Sequence, residues 1–276
     1  MSVPLPSGSP TCMPWRRSRE IATRLKTSGW IARSVATDLR YGGVLSGNVP
    51  SRYGQAGAYN VVNAPYAVLP EIFAGRIGPD DILVDVGCGK GRVINWWLSR
   101  GLRNRVYGIE LDPEVAAVTR RRLRRFGNVT IITGDATTSV PDDATLLYMY
   151  NPFDAAAVVR LKENLTERFA RRGITALYWN VAWLAAFQDD PRWTTEVIEL
   201  TRVSDPRVAR AHRQYAVIRL QPTATGRFPR AASSTARPAA SEPSRAWNLR
   251  DGPSDHHGTD RTVTVHAGEI YLDRAR

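Results

Sequence analysis

The residues best suited to chemistry begin with an aspartate and three glycines on alternate positions, in the segment ILVDVGCGKGRV at residues 82–93. Glycine accepts positive φ and has no Cβ, so Gly87, Gly89 and Gly91 would let a ligand approach the backbone closely. A helix starting after the turn would direct its free amides and its positive dipole end toward that ligand. The segment therefore predicts a ligand-binding turn, with Asp85 immediately before it.

The spacing of these glycines separates two classes of ligand. Dinucleotide-binding turns carry G-x-G-x-x-G, which places a pyrophosphate on the helix N-terminus. In this chain the third glycine comes one residue earlier. The spacing therefore argues against a nicotinamide-dependent dehydrogenase.

Three further polar motifs stand at or just after the ends of apolar segments. Glu110 lies near the end of RVYGIEL, the tripeptide GDA at residues 134–136 follows VTIIT, and NPF at residues 151–153 follows TLLYMY. If these apolar segments are parallel strands, their carboxyl ends meet at one edge of a sheet, where ligands bind in open α/β folds. The four motifs are then expected to form one site.

The elements that would position this site are strands alternating with helices. From residue 81 onward the predicted strands are ILVDV, RVYGIEL, VTIITGDA, TLLYMYNPF and ITALYWNV, with helical segments between most of them. Such alternation requires right-handed crossovers and a parallel sheet. WTTEVIELTRV and RQYAVIRL are close enough in sequence to pair antiparallel. The prediction is an α/β fold with a Rossmann-like, doubly wound seven-stranded sheet, mostly parallel, with an antiparallel edge hairpin.

The combination of Asp85 and G-x-G-x-G resembles the first motif of class I S-adenosylmethionine-dependent methyltransferases, and the other motifs follow in the order of that family. The likeness is greatest to a small bacterial subgroup with a VDVGCGKGR first motif, a YNPF fourth motif and an upstream RYGG-type segment. It extends over about residues 40–220. It implies an enzyme that uses S-adenosyl-L-methionine.

The resemblance also implies which residues hold this cofactor. Glu110 would bind both ribose hydroxyls, because a carboxylate accepts two hydrogen bonds at once, and the GDA motif would contact the adenine. The implied cofactor-binding set is Asp85, Gly87, Cys88, Gly89, Gly91, Glu110, Leu111, Asp135, Ala136 and Asn151.

Asn151, Pro152 and Phe153 would border the methyl-transfer pocket and are the predicted catalytic residues. The Asn151 side chain and the Pro152 carbonyl could accept hydrogen bonds from an amino group, with Phe153 as a stacking face. This resembles the Asn-Pro-Pro-Tyr/Phe motif of amino methyltransferases, although a single proline separates Asn151 from Phe153. The expected acceptor is a nitrogen on a small molecule or a protein side chain; RNA is the alternative, and a non-catalytic nucleoside-binding protein is a further one.

The net charge of +12 would suit a polyanionic partner such as RNA. More than half of it lies in residues 1–40 and 222–276, outside the part of the chain most suited to folding. The basic run RRRLRRF at residues 120–126 is expected to be a solvated helix face, and Lys90 and Arg92 are expected to be exposed charges. No histidine is expected near the four motifs, so a histidine base for O-methylation has no candidate, and no metal site is predicted.

Composition divides the chain into three parts. Residues 1–40 are predicted to be an N-terminal extension, loose and then amphipathic helical; residues 41–221 form the methyltransferase domain; residues 222–276 are a Pro/Ala/Ser/Arg-rich tail predicted to be disordered, apart from one possible short strand. Two cysteines, Cys12 and Cys88, cannot build a disulfide framework. With no apolar stretch of membrane-spanning length and no secretory signal, a cytoplasmic protein is expected.

Overall fold

The computed structural model of the protein describes residues 29–203, 208 and 212–223. The strands are β1 (Leu83–Val86), β2 (Val106–Glu110), β3 (Val129–Thr133), β4 (Leu146–Tyr150), β5 (Ile174–Trp179), β6 (Trp193–Glu199) and β7 (Gln214–Leu220). The helices are α1 (residues 29–40), α2 (Leu69–Ile72), α3 (Arg92–Ser99), α4 (Pro113–Leu123), α5 (Ala155–Arg168) and α6 (Ala185–Gln188), with a short 3-10 turn at Gly54–Ala56.

The seven strands form one sheet in the order β3-β2-β1-β4-β5-β7-β6. The first five in this order run parallel, and β7 runs antiparallel to both of its neighbours, β5 and β6. The predicted α/β fold, mostly parallel with an antiparallel hairpin at one edge, is confirmed. The reversal of strand order between β1 and β4 creates the crevice in which ligands bind in this class of fold.

Both faces of the sheet are covered, as a doubly wound fold requires. All four residues of β1 are buried, which is typical of a parallel strand with helices on both sides. One face packs against Ile94 and Trp97 of α3 and against Leu123 of α4. The other packs against α5, including Leu161 and Leu165.

Two predicted strands end earlier than expected, and this matters for the site. VTIITGDA ends as a strand at Thr133 and TLLYMYNPF ends at Tyr150. Asn151 has a φ of 40°, which an extended strand does not permit. The GDA and NPF motifs therefore form turns beyond the strand ends, at the border of the crevice.

Two helical expectations also differ from the structure. The sequence of residues 64–75, APYAVLPEIFAG, predicts a helix leading toward the first strand, but only Leu69–Ile72 is helical, because Pro70 lacks an N–H and its ring obstructs extension of the helix toward the N-terminus. The four-residue helix α6 was not predicted. Residues 1–28 and 224–276, with the predicted loose start and tail, lie outside the described residues.

The part of the N-terminal segment that the structure describes is attached to the sheet domain. Asp38 of α1 accepts hydrogen bonds from the Tyr66 hydroxyl at 2.7 Å and from Arg92 Nη2 at 2.8 Å. Among the helices of the described residues, none combines the length and the apolar character needed to cross a bilayer.

Candidate active site

A cleft lies at the carboxyl ends of β1, β2 and β4, covered by residues 56–62. The space within it, including the part that is open to solvent, is about 850 Å³. The predicted site residues that line it are Gly87, Glu110, Leu111, Asp135, Ala136, Asn151, Pro152 and Phe153. A smaller cavity of about 320 Å³ adjoins it across Gly87 and Tyr150, and is lined by the predicted residues Asp85, Cys88 and Gly89. The four sequence motifs are therefore brought together, as expected.

The three glycines of the turn all have positive φ, with values of 72° at Gly87, 50° at Gly89 and 73° at Gly91. A Cβ on Gly87 would lie 2.7 Å from Pro152 Cβ, and one on Gly89 would lie 2.5 Å from Val61 Cγ1. Both contacts are too close for any residue except glycine. The turn thus fits closely beneath the NPF motif and the covering segment.

Gly91 has a different role from the one predicted. A Cβ at this position would face α4, 3.0 Å from Arg122 Nη2 and 3.1 Å from Thr119 Cγ2, rather than the cleft. Gly91 therefore permits close packing of α4 against the turn, and it lines neither of the two cavities described above.

Arg122 and Arg92, on the helices next to the turn, are structural, contrary to expectation. Arg122 donates to the Lys90 carbonyl at 2.6 Å, the Tyr41 carbonyl at 2.7 Å and Asn95 Oδ1 at 2.8 Å. The RRRLRRF run is therefore not a uniformly solvated face, since this side chain is directed into the protein. Arg92, expected to be exposed, forms a buried ion pair with Asp38.

Glu110 joins the glycine turn to the start of α4. Its Oε2 accepts from the Gly89 N–H at 2.8 Å, and its Oε1 accepts from the Asp112 N–H at 2.9 Å. Burial raises the pKa of Glu110, while these backbone hydrogen bonds oppose that shift. Each carboxylate oxygen keeps a second lone pair, so Glu110 can still accept two hydrogen bonds from a ligand.

Asp85 is 3% exposed, and within the described part of the chain its Oδ2 has no hydrogen-bond partner. Burial, together with the negative charge of Glu110, raises the pKa of Asp85 to about 8. Tyr148, directly opposite on β4, also has a buried hydroxyl that is unpaired among the described residues. A buried carboxylate without a donor is costly, so this cavity would favour a ligand that carries a cation or a donor.

Asp135 is exposed at the edge of the cleft. Its Oδ1 accepts from the Thr137 N–H at 2.8 Å, which closes the turn after β3. The neighbouring Ala136 is buried and lines the same cleft. Asp135 therefore stabilises its own turn as well as contributing to the cleft wall.

The NPF turn is bonded to the segment that covers it. Asn151 Oδ1 accepts from the Tyr178 hydroxyl at 2.9 Å, and the Pro152 carbonyl accepts from the Tyr59 N–H at 3.1 Å. Ala58 also forms an isolated β-bridge with Phe153. The two oxygen atoms predicted to hold an amino group thus each accept one hydrogen bond within the protein and each keep a second lone pair.

One residue that the sequence did not single out lines this cleft, and a second lies beside a residue that lines it. Asn180 follows β5 as Asn151 follows β4, and because Tyr150 pairs with Trp179 the two asparagines are neighbours. Asn180 lines the cleft and has a φ of 58°, so the shared pattern of an asparagine just after a strand was the available signal. The fold also brings His212 beside Tyr150, with ring centroids 6.5 Å apart. The expectation that no histidine lies near the motifs was therefore wrong.

The comparisons with known proteins agree with this geometry. Residues 83–173 match a family model described as a methyltransferase domain. The chain is 30% identical over 171 residues to the protein-L-isoaspartate O-methyltransferase of Koribacter versatilis, a match that covers 57% of this chain and 73% of the relative. It is 35% identical over 65 residues to a probable ribosomal RNA small subunit methyltransferase A of Methanosarcina barkeri, covering 24% and 22% of the two chains.

Solved structures are similar at lower identity. An RNA methyltransferase from Salinibacter ruber, in complex with S-adenosyl-L-homocysteine, aligns with a TM-score of 0.41 and 20% identity, over 61% of this chain and 97% of that one.

Within the described residues, no group of three or more His, Cys, Asp or Glu side chains is placed to hold a metal ion.

Proposed function

The chain belongs to the class I S-adenosylmethionine-dependent methyltransferases, and from this premise we propose how it holds its methyl donor, S-adenosylmethionine. The observation that carries the proposal is the pair of buried carboxylates, Asp85 and Glu110, beside the glycine turn. We propose that Glu110 binds the ribose hydroxyls, that Asp85 faces the ammonium group of the amino-acid part, and that Asp135 and Ala136 border the adenine.

The residues present fit such a ligand. Asp85 Oδ2 has no donor among the described residues, and an ammonium group would supply one together with a compensating charge. Glu110 retains two free lone pairs at the cleft, which matches the two hydroxyls of a ribose. Gly87 borders both cavities, so one elongated ligand could extend from one into the other.

When bound, S-adenosylmethionine supplies an electrophilic methyl group on a positively charged sulfur. The task of the chain is to hold the acceptor in line with that group and to exclude water. We propose that the NPF turn, Asn151 to Phe153, forms the acceptor side of the cleft. The bonds of this turn to Tyr59 and Ala58 support that role, because they hold the covering segment over the place of reaction.

We propose a small molecule or a protein side chain as the methyl acceptor. A nitrogen acceptor stays the expectation, because Asn151 Oδ1 and the Pro152 carbonyl each accept one hydrogen bond within the protein and each keep a second lone pair for an amino group. RNA is the second candidate, favoured by the net charge of +12. By their names, one of the two relatives acts on protein and the other on ribosomal RNA. These names are compatible with a protein acceptor and with an RNA acceptor.

The remaining sequence-based assignments stay proposals. We propose residues 41–221 as the catalytic domain, residues 1–40 as an extension and residues 222–276 as a tail, within the small bacterial subgroup that carries VDVGCGKGR and YNPF. Cytoplasmic location is proposed on the low cysteine content, with Cys88 buried and unbridged.

Calorimetry on the full chain tests the cofactor assignment. S-adenosylmethionine and S-adenosylhomocysteine are expected to bind and NAD is not, and binding of NAD alone would contradict the proposal. Transfer of labelled methyl from S-adenosylmethionine into fractionated extract then identifies the acceptor class. Label in protein or small molecules supports the first candidate, and label in RNA supports the second.

A further inference from the structure

The smaller cavity beside the glycine turn is lined by a buried tyrosine whose hydroxyl group has no partner. Tyr148 is 1% exposed, and within the described residues its hydroxyl makes no hydrogen bond. Burial, together with the charge of Asp85, raises the pKa of Tyr148, so the hydroxyl keeps its hydrogen at neutral pH. An unpaired buried hydroxyl costs free energy, which a ligand with a complementary group would recover.

Tyr148 and Asp85 lie on the same side of the sheet. They are register partners on the parallel strands β4 and β1, so their side chains leave the sheet on one face. Asp85 Oδ2 likewise lacks a donor among the described residues, and both side chains line the cavity. An ammonium group has three hydrogens, so it could donate to the carboxylate and to the hydroxyl oxygen together. This wall of the cavity therefore favours a positive group that donates hydrogen bonds.

A second wall of the cavity is formed by the start of α3. Arg92 and Val93, the first two residues of this helix, line the cavity. Gly91 is the N-cap and, in the described part of the chain, no side chain caps the helix, so its first amides are free for a ligand. The Arg92 Nε–H is buried and has no acceptor among the described residues. This wall therefore favours a negative group that accepts hydrogen bonds.

The charges of the two walls fix the direction in which a zwitterion would lie. With its ends exchanged, the ammonium group would face the Arg92 guanidinium and the carboxylate would face Asp85, and both contacts are repulsive. Asp38 pairs with Arg92 through Nη2 but does not line this cavity. Lys90 lines it, but its ammonium group already donates to two backbone carbonyls, at 2.8 and 3.1 Å. Arg92 is therefore the side chain best placed to receive the carboxylate.

We propose that Tyr148 and Arg92 bind the amino-acid end of the methyl donor. The Tyr148 hydroxyl oxygen accepts a hydrogen bond from the ammonium group that Asp85 faces, and the Arg92 Nε–H donates to the carboxylate beside the free amides of α3. This inference rests on the proposed methyltransferase function and adds two residues to its cofactor site. The pair selects ligands that carry both a free α-amino group and a free α-carboxyl group.

Tyr148→Phe separates a binding role from a structural one. The substitution removes a buried oxygen atom that has no described partner, so the ligand-free variant should unfold at the same or a higher urea concentration. In calorimetry on the full chain, affinity for S-adenosylhomocysteine should fall about fivefold. Affinity for an analogue without the amino group should not change. Tyr107→Phe is the matched control, because its hydroxyl contacts Asp143 outside the cavity.

Arg92→Lys keeps a positive charge for Asp38 but removes the Nε–H. Affinity for S-adenosylhomocysteine should fall about tenfold, because a hydrogen bond between two charged groups is lost. Affinity for decarboxylated S-adenosylhomocysteine should stay as in the wild type. Arg105→Lys, in an exposed ion pair at the amino end of β2, is the matched control and should bind both ligands normally.

The analogues distinguish loss of a contact from a general disturbance of the fold. Equal losses for S-adenosylhomocysteine and for the analogue that lacks the relevant group would overturn the proposal. Unchanged affinity for S-adenosylhomocysteine in either variant would overturn the role of that residue. If the wild-type protein does not bind S-adenosylhomocysteine at all, the result instead contradicts the proposed methyltransferase function.

Discussion

Arg92 Nη2 and Asp38 Oδ2 lie 2.8 Å apart in an ion pair whose side chains are 14% and 1% exposed. Asp38 belongs to α1, and Arg92 is the first residue of α3, immediately after the glycine turn. The Asp38 carboxylate also accepts from the Tyr66 hydroxyl and the Leu45 N–H. The N-terminal helix is thereby joined to the helix that follows the glycine turn.

Asp38→Ala should destabilise the fold, because it leaves the Arg92 charge buried without its partner. Loss of one member of such a pair costs about 3–5 kcal/mol. Urea unfolding measures the change. Glu114→Ala is the matched control, since the Arg52–Glu114 pair is just as close at 2.9 Å but its side chains are 68% and 69% exposed. Equal stability of the two variants would contradict a structural role for Asp38.

Arg122→Lys should weaken the glycine turn while keeping the charge. Lysine cannot reproduce the planar fork with which Arg122 reaches Tyr41, Lys90 and Asn95, and we expect a loss of about 2 kcal/mol and weaker S-adenosylhomocysteine binding. Thermal unfolding and calorimetry provide the two readouts. Arg121→Lys, at the exposed neighbouring position, should change neither.

Gly87→Ala should lower the free energy of unfolding by more than the strain of a positive φ alone. A positive φ costs a non-glycine residue about 1–2 kcal/mol, and the new Cβ would also lie 2.7 Å from Pro152 Cβ. Gly101→Ala measures the cost of the positive φ by itself, because Gly101 has nearly the same φ as Gly87 and no described atom lies within 4 Å of the added Cβ. The prediction is wrong if denaturant unfolding gives the same loss for both variants.

Asp85 should make the ligand-free protein less stable as the pH rises. The folded state holds this proton up to about pH 8, whereas an unfolded aspartate loses it near pH 4. The folded state therefore binds more protons in this window, and its contribution to stability, complete below pH 4, is lost progressively toward pH 8. Asp85→Asn should remove this slope and raise the free energy of unfolding at pH 8 by roughly 2–5 kcal/mol.

Asp85 should also lose its proton when the ligand binds. If Asp85 pairs with the ammonium group of S-adenosylhomocysteine, binding favours its charged form, so about one proton should be released near pH 6.5. Calorimetry in two buffers with different heats of ionisation measures this release. The Asp85→Asn variant should bind S-adenosylhomocysteine more weakly and release no proton. An unchanged proton release in that variant would show that the proton comes from another group.

Glu110→Gln should weaken S-adenosylhomocysteine binding by at least tenfold. The amide would direct hydrogens at the Gly89 or Asp112 N–H, and one of the two proposed ribose contacts would lose its acceptor. Because the substitution also loosens the turn, thermal stability without ligand is measured beside affinity. A fall in stability with unchanged affinity would leave Glu110 as a structural residue only.

Much of the fold and the candidate site was predictable because the signals are local. Strand runs, glycine spacing and the polar residues after each strand lie within a few positions of one another, and parallel pairing aligns them at one edge. The partners that modify these residues are not local. Arg122 and the Tyr41 carbonyl are 81 residues apart, and Tyr178 and Asn151 are 27 apart. Such contacts depend on helix placement and strand register. The hydrogen bonds that the NPF turn makes to Tyr178 and Tyr59 could therefore not be predicted from the residues of the turn itself.

The position of β7 has a consequence for how the protein is made. This strand is the last of the sheet to be synthesised, yet it lies inside the sheet between β5 and β6. Until Leu220 has emerged, β5 has one open edge and β6 lacks its partner in the sheet. Open strand edges pair readily with other chains. Aggregation during translation is therefore a particular hazard in the interval between the completion of β5 and the arrival of β7, whose insertion covers the open edges of both neighbouring strands.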